Sequence, residues 1–305
     1  MKTAFLFLWL LFSLATYSQQ TYDLDGLKDL TDYWEINATL GANNFLGDVG
    51  GTIGKGKDFL KDYTFGTNRP LAGLSGTYNL TNYLAFNFGF NLTKVVGADS
   101  LIHNTGDFER WRWYRNLSFR SNIFEAYGSA TFYPIMFIDH KKIELHKWNP
   151  YFSVGVGVFH FNSEAQLNGQ WYKLKPLHLE GQGFAEYPDR KPYALTKVYV
   201  PINLGVKYYF NNKWALSTGM MSRMTFTDYV DDISTTYIDP ALFYKYLSPQ
   251  NAAIASQLYS RSRTPWKVKP GIEKADHTDN DNWVTFFLML SIRLDKYTPF
   301  YYPKL

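Results

Sequence analysis

Carboxylate, lysine and arginine side chains in the β-type segments of this chain all fall on one face, and that restriction most narrows what it can fold into. Glu35, Glu125, Lys207, Arg223 and Arg293 each lie in a stretch of alternating apolar and polar residues, and none shares the apolar face. In Trp34-Glu35-Ile36-Asn37-Ala38-Thr39-Leu40-Gly41-Ala42 the even positions are apolar and the odd ones polar or glycine. Successive strand side chains point to opposite sides, so a period of two marks a strand with two different surroundings. Eight segments read this way, near 34–42, 71–78, 83–93, 123–133, 151–161, 198–208, 214–226 and 283–294. The third is clearest, with Leu84, Phe86, Phe88, Phe90 and Leu92 opposite Ala85, Asn87, Gly89, Asn91 and Thr93. The expected fold is all-β: an antiparallel transmembrane β-barrel of about eight strands, apolar side chains toward lipid and polar ones inward. Pro201 predicts a bulge in the sixth strand, since it lacks a donor.

The first 18 residues have the form of a signal peptide. Lys2 supplies the positive charge, Phe5 to Phe12 an apolar run too short to span a bilayer, and Thr16-Tyr17-Ser18 a small-residue cleavage site. Residues 19–305 are then expected to form one barrel domain. Without cysteine there is neither a lipidation site nor a disulfide framework. The mean hydropathy of −0.29 does not oppose a barrel, because half of each strand and the loops are polar. The 24 Tyr, 24 Phe and 9 Trp suit the aromatic girdles such barrels carry at both interfaces.

Connections alternate between short and long. Asn79-Leu80-Thr81-Asn82 and Asn211-Asn212-Lys213 are tight turns, whereas 47–69, 94–122, 162–196 and 228–281 are long, matching short periplasmic turns and long external loops. Tyr78 and Tyr83, Tyr133 and Tyr151, and Phe210 and Trp214 are expected to form the girdle at the short-turn end. In the last long loop, Asp239-Pro240 and Ser248-Pro249 predict two short helices, the second ending near Arg261, and hence a folded external cap. The connection from Pro134 to Pro150 is long although it lies on the short-turn side. It reads as a solvated hairpin or as a periplasmic docking element, with apolar Ile135, Met136, Phe137, Ile143 and Leu145 and cationic Lys141, Lys142 and Lys147.

Catalytic motifs are missing from the chain. None of His103, His140, His146, His160, His178 and His277 falls in a zinc-protease pattern, and G-x-S-x-G does not occur. Asp48, Asp228, Asp231, Asp232, Asp279 and Asp281 are expected as solvated rim carboxylates, with calcium bridging as the functional alternative. Glu109-Arg110-Trp111-Arg112-Trp113-Tyr114-Arg115 reads as a rim loop of stacked Arg and Trp, or as a contact for lipid phosphates through Arg110 and Arg112. Export argues against nucleic acid. The inward charges are expected to pair across a narrow, filled lumen rather than conduct ions. No cofactor or metal is expected.

Four segments also resemble the PorG-like outer-membrane barrel family associated with type IX secretion. They are Asn44-Phe45-Leu46-Gly47-Asp48-Val49-Gly50-Gly51; Arg115-Asn116-Leu117-Ser118-Phe119-Arg120-Ser121; Leu174-Lys175-Pro176-Leu177 with Glu180-Gly181-Gln182-Gly183; and Thr227-Asp228-Tyr229-Val230-Asp231-Asp232-Ile233-Ser234. Gly47, Asp48, Arg115, Asn116, Phe119, Arg120, Gly181, Gly183, Asp231 and Asp232 carry it, over nearly the whole mature chain. The resemblance implies a non-enzymatic component of the secretion machinery in the outer membrane of a Gram-negative bacterium. Its partners would be membrane lipid, lipopolysaccharide and proteins of a periplasmic ring. Two alternatives stand beside it: a lipid-modifying barrel enzyme and an exported soluble β-sandwich.

Overall fold

A computed structural model of the protein describes residues 31–50, 63–102, 106–139, 146–211, 213–263 and 268–294. The expected signal peptide, His103, His140 and the tip residues Lys141, Lys142, Ile143 and Leu145 lie outside these. Among the described residues ten strands form one sheet: β1 (Tyr33–Leu46), β2 (Arg69–Asn79), β3 (Leu84–Ala98), β4 (Ser118–Phe132), β5 (Trp148–His160), β6 (Glu164–Leu167), β7 (Gln170–Lys173), β8 (Thr196–Tyr209), β9 (Trp214–Thr225) and β10 (Asn282–Arg293). The order β3-β2-β1-β10-β9-β8-β5-β4, closed by β3–β4 pairing, is an eight-stranded antiparallel meander barrel. Closure excludes the β-sandwich. The extra pair, β6–β7, is a short hairpin in the loop after β5, continuing the sheet from β4 through Arg120 and Glu164.

Strand parity sorts side chains as the alternation requires. Phe88, Phe90 and Leu92 on β3, Val154 and Val156 on β5, Leu204 on β8 and Leu288 on β10 are exposed outward, while Asn87, Asn91, Ser153, Asn203 and Ser291 are buried inside. The β3 stripe from Leu84 to Leu92 matches the roughly 9–11 residues a tilted spanning strand needs. Thr218 faces outward on β9 but donates its hydroxyl to the Phe287 carbonyl (3.1 Å), which satisfies it without water. Trp34, Tyr78, Trp148, Tyr208 and Phe210 cluster toward the short-turn end, with Trp34–Tyr78 and Trp148–Tyr208 ring centroids 5.1 and 4.5 Å apart.

Several local expectations are corrected. Pro201 makes no bulge: Val154↔Ile202 and Gly157↔Tyr199 keep one register, and only the two pairings between them are interrupted. Val284 has outward parity yet is buried, at the end of the barrel where Tyr63 reaches the ring of Phe286. Tyr133 and Tyr151 belong to the lumen floor rather than the girdle, because both have inward parity, and they pack with Ala85 and Met136. The last strand holds a continuous register against β1 from Glu35↔Arg293 to Leu46↔Asn282.

The long loops fold over one end as a cap with its own apolar core, including Val49, Phe119, Leu174, Leu177, Val230, Ile238, Phe243 and Leu258. Residues 107–115, expected as a loop, form helix α1 (Asp107–Arg115). Short helix α2 (Pro134–Ile138) follows β4 at the opposite end. Helices α3 (Ala241–Tyr246) and α4 (Pro249–Leu258) form in the last long loop, and Ser248 caps α4 by accepting the Asn251 N–H. The second of these ends at Leu258, a residue before the αR turn at Tyr259 and short of Arg261.

Candidate functional site

Two regions gather the residues singled out by sequence: the lumen and the cap. In the lumen, Lys207 Nζ from β8 lies 2.7 and 2.6 Å from the two carboxylate oxygens of Glu35 on β1. Above it, Arg223 on β9 makes a bidentate pair with Glu125 on β4, Nε–Oε1 3.0 Å and Nη2–Oε2 3.1 Å. Asn91 (2.8 Å) and Trp283 Nε1 (2.9 Å) donate to the same carboxylate, and the remaining Arg223 nitrogen reaches the Met221 carbonyl and Thr285. These four charged side chains are almost fully buried. Both pairs span the barrel, joining strands that are not neighbours in the sheet. Arg293 differs: it is half-buried at the short-turn rim and stacks on the Tyr33 ring, 3.9 Å from its centroid.

The four motif segments, scattered along the chain, meet in the cap. Arg115 Nη2 donates to the Asp48 carbonyl (2.6 Å), and Phe45 packs edge-on against Phe119 at 4.9 Å. Val49 N–H donates to Asp231 (3.1 Å) across 182 residues of sequence. Glu180 accepts the backbone N–H groups of Ser234 (3.2 Å) and Thr235 (3.0 Å). Gly181 and Gly183 have φ of +74° and +84°, a region L side chains avoid, and so provide the turns that aim Glu180. Gly47 leaves no room for a side chain, since a Cβ would lie 2.3 Å from Asp281 Oδ1. Asn116 takes the left-handed position ending α1 and bonds Arg261 and Arg263. Arg120 pairs with Glu164 (3.0 Å) and lies 3.5 Å from the Trp171 ring centroid.

Asp99 was not legible as a site residue. It directly follows β3 with no motif around it, yet it is the partner that holds Arg115, at 2.9 Å from both Nε and Nη2. Its carboxylate also accepts the N–H groups of Leu117 (2.8 Å) and Gly50 (3.1 Å), tying α1, β4 and the first loop together. Arg112 is likewise buried and donates to the Gly50 carbonyl (2.7 Å), so it does not present its charge to lipid phosphate; Arg110 is exposed.

The rim aspartates are the largest correction. Asp48, Asp228, Asp231, Asp232 and Asp281 are folded into the cap rather than solvated, and Asp279 alone of the six is exposed. Asp231 accepts Val49 and Ile233 N–H groups, Asp281 accepts Val230 N–H (2.7 Å), Asp48 accepts Asp276 N–H (3.0 Å), and Tyr193 donates to Asp232. Burial first, then mutual repulsion with Asp48 and the neighbouring aspartates, pushes Asp231 and Asp281 well above the usual carboxylate range. The same causes raise Asp228 to about 10, and burial raises Asp48 to about 6 and Asp232 to about 7. Among the described residues no group of three or more His, Cys, Asp or Glu is arranged to hold a metal ion, so the calcium arrangement is not formed there.

At the opposite end, Met136 of α2 plugs the lumen floor, and Phe137 packs on Tyr83 (5.2 Å) and Phe132 (5.4 Å) while staying half exposed. The connection therefore starts as a helix anchored to the barrel, not as a free hairpin. His146 and Asp139 lie 2.8 Å apart and close its base; Lys147 is exposed. His160 contacts Thr196, and His178 sits in a left-handed turn of the cap.

No protein-family model and no curated protein sequence matches the chain. Among solved structures it is similar to Neisserial surface protein A (8% identity, 86% of this chain and 97% of that one, TM-score 0.39). It is also similar to the attachment invasion locus protein Ail of Yersinia pestis (9%, 87% and 99%, TM-score 0.37) and to the N-terminal barrel domain of Pseudomonas aeruginosa OprF (10%, 87% and 98%, TM-score 0.34). The class of the protein follows from its own geometry instead. A closed antiparallel barrel with a continuous apolar exterior, a polar interior and long loops at one end is a membrane-spanning barrel of the outer-membrane type.

Proposed function

We propose that this barrel is a non-enzymatic structural component of type IX protein secretion, anchoring a periplasmic complex to the outer membrane. The observation that carries the reading is the filled interior. Two cross-lumen ion pairs, the Trp283–Glu125 contact and the Met136 plug occupy the barrel, and a folded cap covers its far end. Such a barrel acts through its surfaces rather than by passing solute. The assignment to type IX secretion is supported by the resemblance of the four motif segments, which come together in one cap.

The docking element we favour is the connection after α2. Its helix is pinned by Met136 and Phe137, and Lys147 stands exposed at its return. An anchored apolar base with a charged rim suits a specific interface, and Lys141, Lys142 and Lys147 would steer an acidic partner in a salt-dependent way. Replacing residues 140–145 by a short Asn-Gly turn tests this. The barrel should insert and keep its heat-modifiable gel migration, while partner co-purification and secretion are lost. Unchanged partner recovery would place docking elsewhere.

A further inference from the structure

The outward face of the barrel changes character abruptly at the cap end across four neighbouring strands. On β3, β4, β5 and β8 the exposed apolar residues Leu92, Phe124, Val158 and Val198 are each followed, two residues further toward the cap on the same face, by a polar one. These are Lys94, Asn122, His160 and Thr196. Lys94 pairs with Asn122 across β3–β4, and His160 with Thr196 across β5–β8. One step higher, Arg120 continues the row, and the β6–β7 hairpin extends the face with Glu164, Lys173 and Trp171. On β9 and β10 the corresponding end remains apolar, with Met224, Phe226 and Phe286 exposed.

We propose that this half-collar binds the headgroup of a phosphorylated glycolipid in the outer leaflet. The inference rests on the outward apolar stripe being lipid-facing, and not on the secretion reading. Three permanent cations, Lys94, Arg120 and Lys173, stand against one carboxylate, Glu164, on this face. Neither lysine ammonium has a partner among the described residues, and Lys173 is exposed. Arg120 is held in place between Glu164 and the face of Trp171. Strands lie about 4.8 Å apart, so the cations on β3, β4 and β7, with β6 between the last two, span about 15 Å. That width suits separated phosphates on a saccharide better than one phosphodiester. The hydroxyl, amide and imidazole groups of Thr196, Asn122 and His160 supply partners for sugar hydroxyls, and exposed Trp171 supplies an interfacial aromatic ring. Position selects a lipid over a free anion: the collar sits directly above the apolar stripe that would hold the acyl chains.

The test uses the full-length protein folded in a zwitterionic detergent, with binding of bisphosphorylated lipid A measured by titration. Parent protein should bind it more tightly than phosphatidylglycerol, with affinity falling as salt rises. The K94Q/K173Q variant should bind about tenfold more weakly, equivalent to about 1.4 kcal/mol, and K94R/K173R should bind like the parent. Equal affinity of K94Q/K173Q and parent overturns the site. Equal affinity for the two lipids overturns the glycolipid assignment, and displacement by equimolar inorganic phosphate overturns the lipid source. Because secretion is not read, failure here leaves the docking proposal standing, and failure of docking leaves this one.

Discussion

The lumen and the cap both bury charge, and they do so in opposite ways. In the lumen each carboxylate faces its own cation: Glu35 has Lys207, and Glu125 has Arg223 together with Asn91 and Trp283. In the cap, Asp48, Asp228, Asp231 and Asp281 influence one another, and they are served mainly by backbone N–H groups. Arg115, a buried cation beside them, is already engaged by Asp99. A closed barrel in lipid has no water to soften an unpaired charge, so its charges are matched. A cap in water can relieve its excess by keeping protons on buried carboxyl groups. The lumen is a brace of matched charges, and the cap is a cover whose buried carboxyl groups favour the protonated form.

The largest expected effect comes from breaking the brace. Arg223→Ala strands Glu125 in the lumen and should cost about 3–5 kcal/mol, read as a lower denaturant midpoint for heat-modifiable migration. A neutral result would mean that the pair does not hold the barrel. Next comes the lipid face: Phe88→Arg should cost about 2–4 kcal/mol near mid-bilayer, whereas a larger loss from Asn87→Lys would invert the assigned facing.

The cap separates from the barrel by pH. Its carboxyl groups have folded pKa values above their unfolded values near 3.9. Their contribution is therefore fully present below about pH 4, and it is lost as pH rises through about 6 for Asp48 and about 10 for Asp228. Amide exchange, corrected for its intrinsic pH dependence, should accelerate in residues 227–281 between pH 6 and pH 9, while β3 and β4 stay protected. Asp228→Asn should restore protection at pH 9 by about tenfold, the equivalent of about 1.4 kcal/mol. Equal acceleration of barrel and cap would erase the distinction. The smallest effect is confined to one helix end. Ser248→Ala removes the α4 cap at a cost of about 1 kcal/mol, and should speed proteolysis of the cap without moving the barrel midpoint.

Much of the barrel was legible because strand parity is a local rule. Phe88 and Asn87 take opposite sides whatever lies across the lumen, so eight barrel strands and their facing could be read from alternation. The β6–β7 hairpin was not, since each of its strands is only four residues long, too short for alternation to stand out. The motif residues were legible only as a resemblance. Gly181 and Gly183 look like ordinary loop glycines until Glu180 is seen accepting from Ser234 and Thr235. Asp99 had no signal at all, because its importance comes from Arg115, Leu117 and Gly50 arriving together.

What this sequence determined by itself was which side chains share a face, because that depends only on the two-residue repeat of an extended backbone. Which of the five inward charges pair was decided by the closed barrel. Glu35 stands directly beside Arg293 in the sheet, yet its carboxylate bonds Lys207 on the far wall. The burial of the cap aspartates was decided the same way: loops polar enough to be solvated were instead folded over a common apolar core. Parity is set within a strand, whereas partners and burial are set by how strands and loops far apart in the chain are brought together.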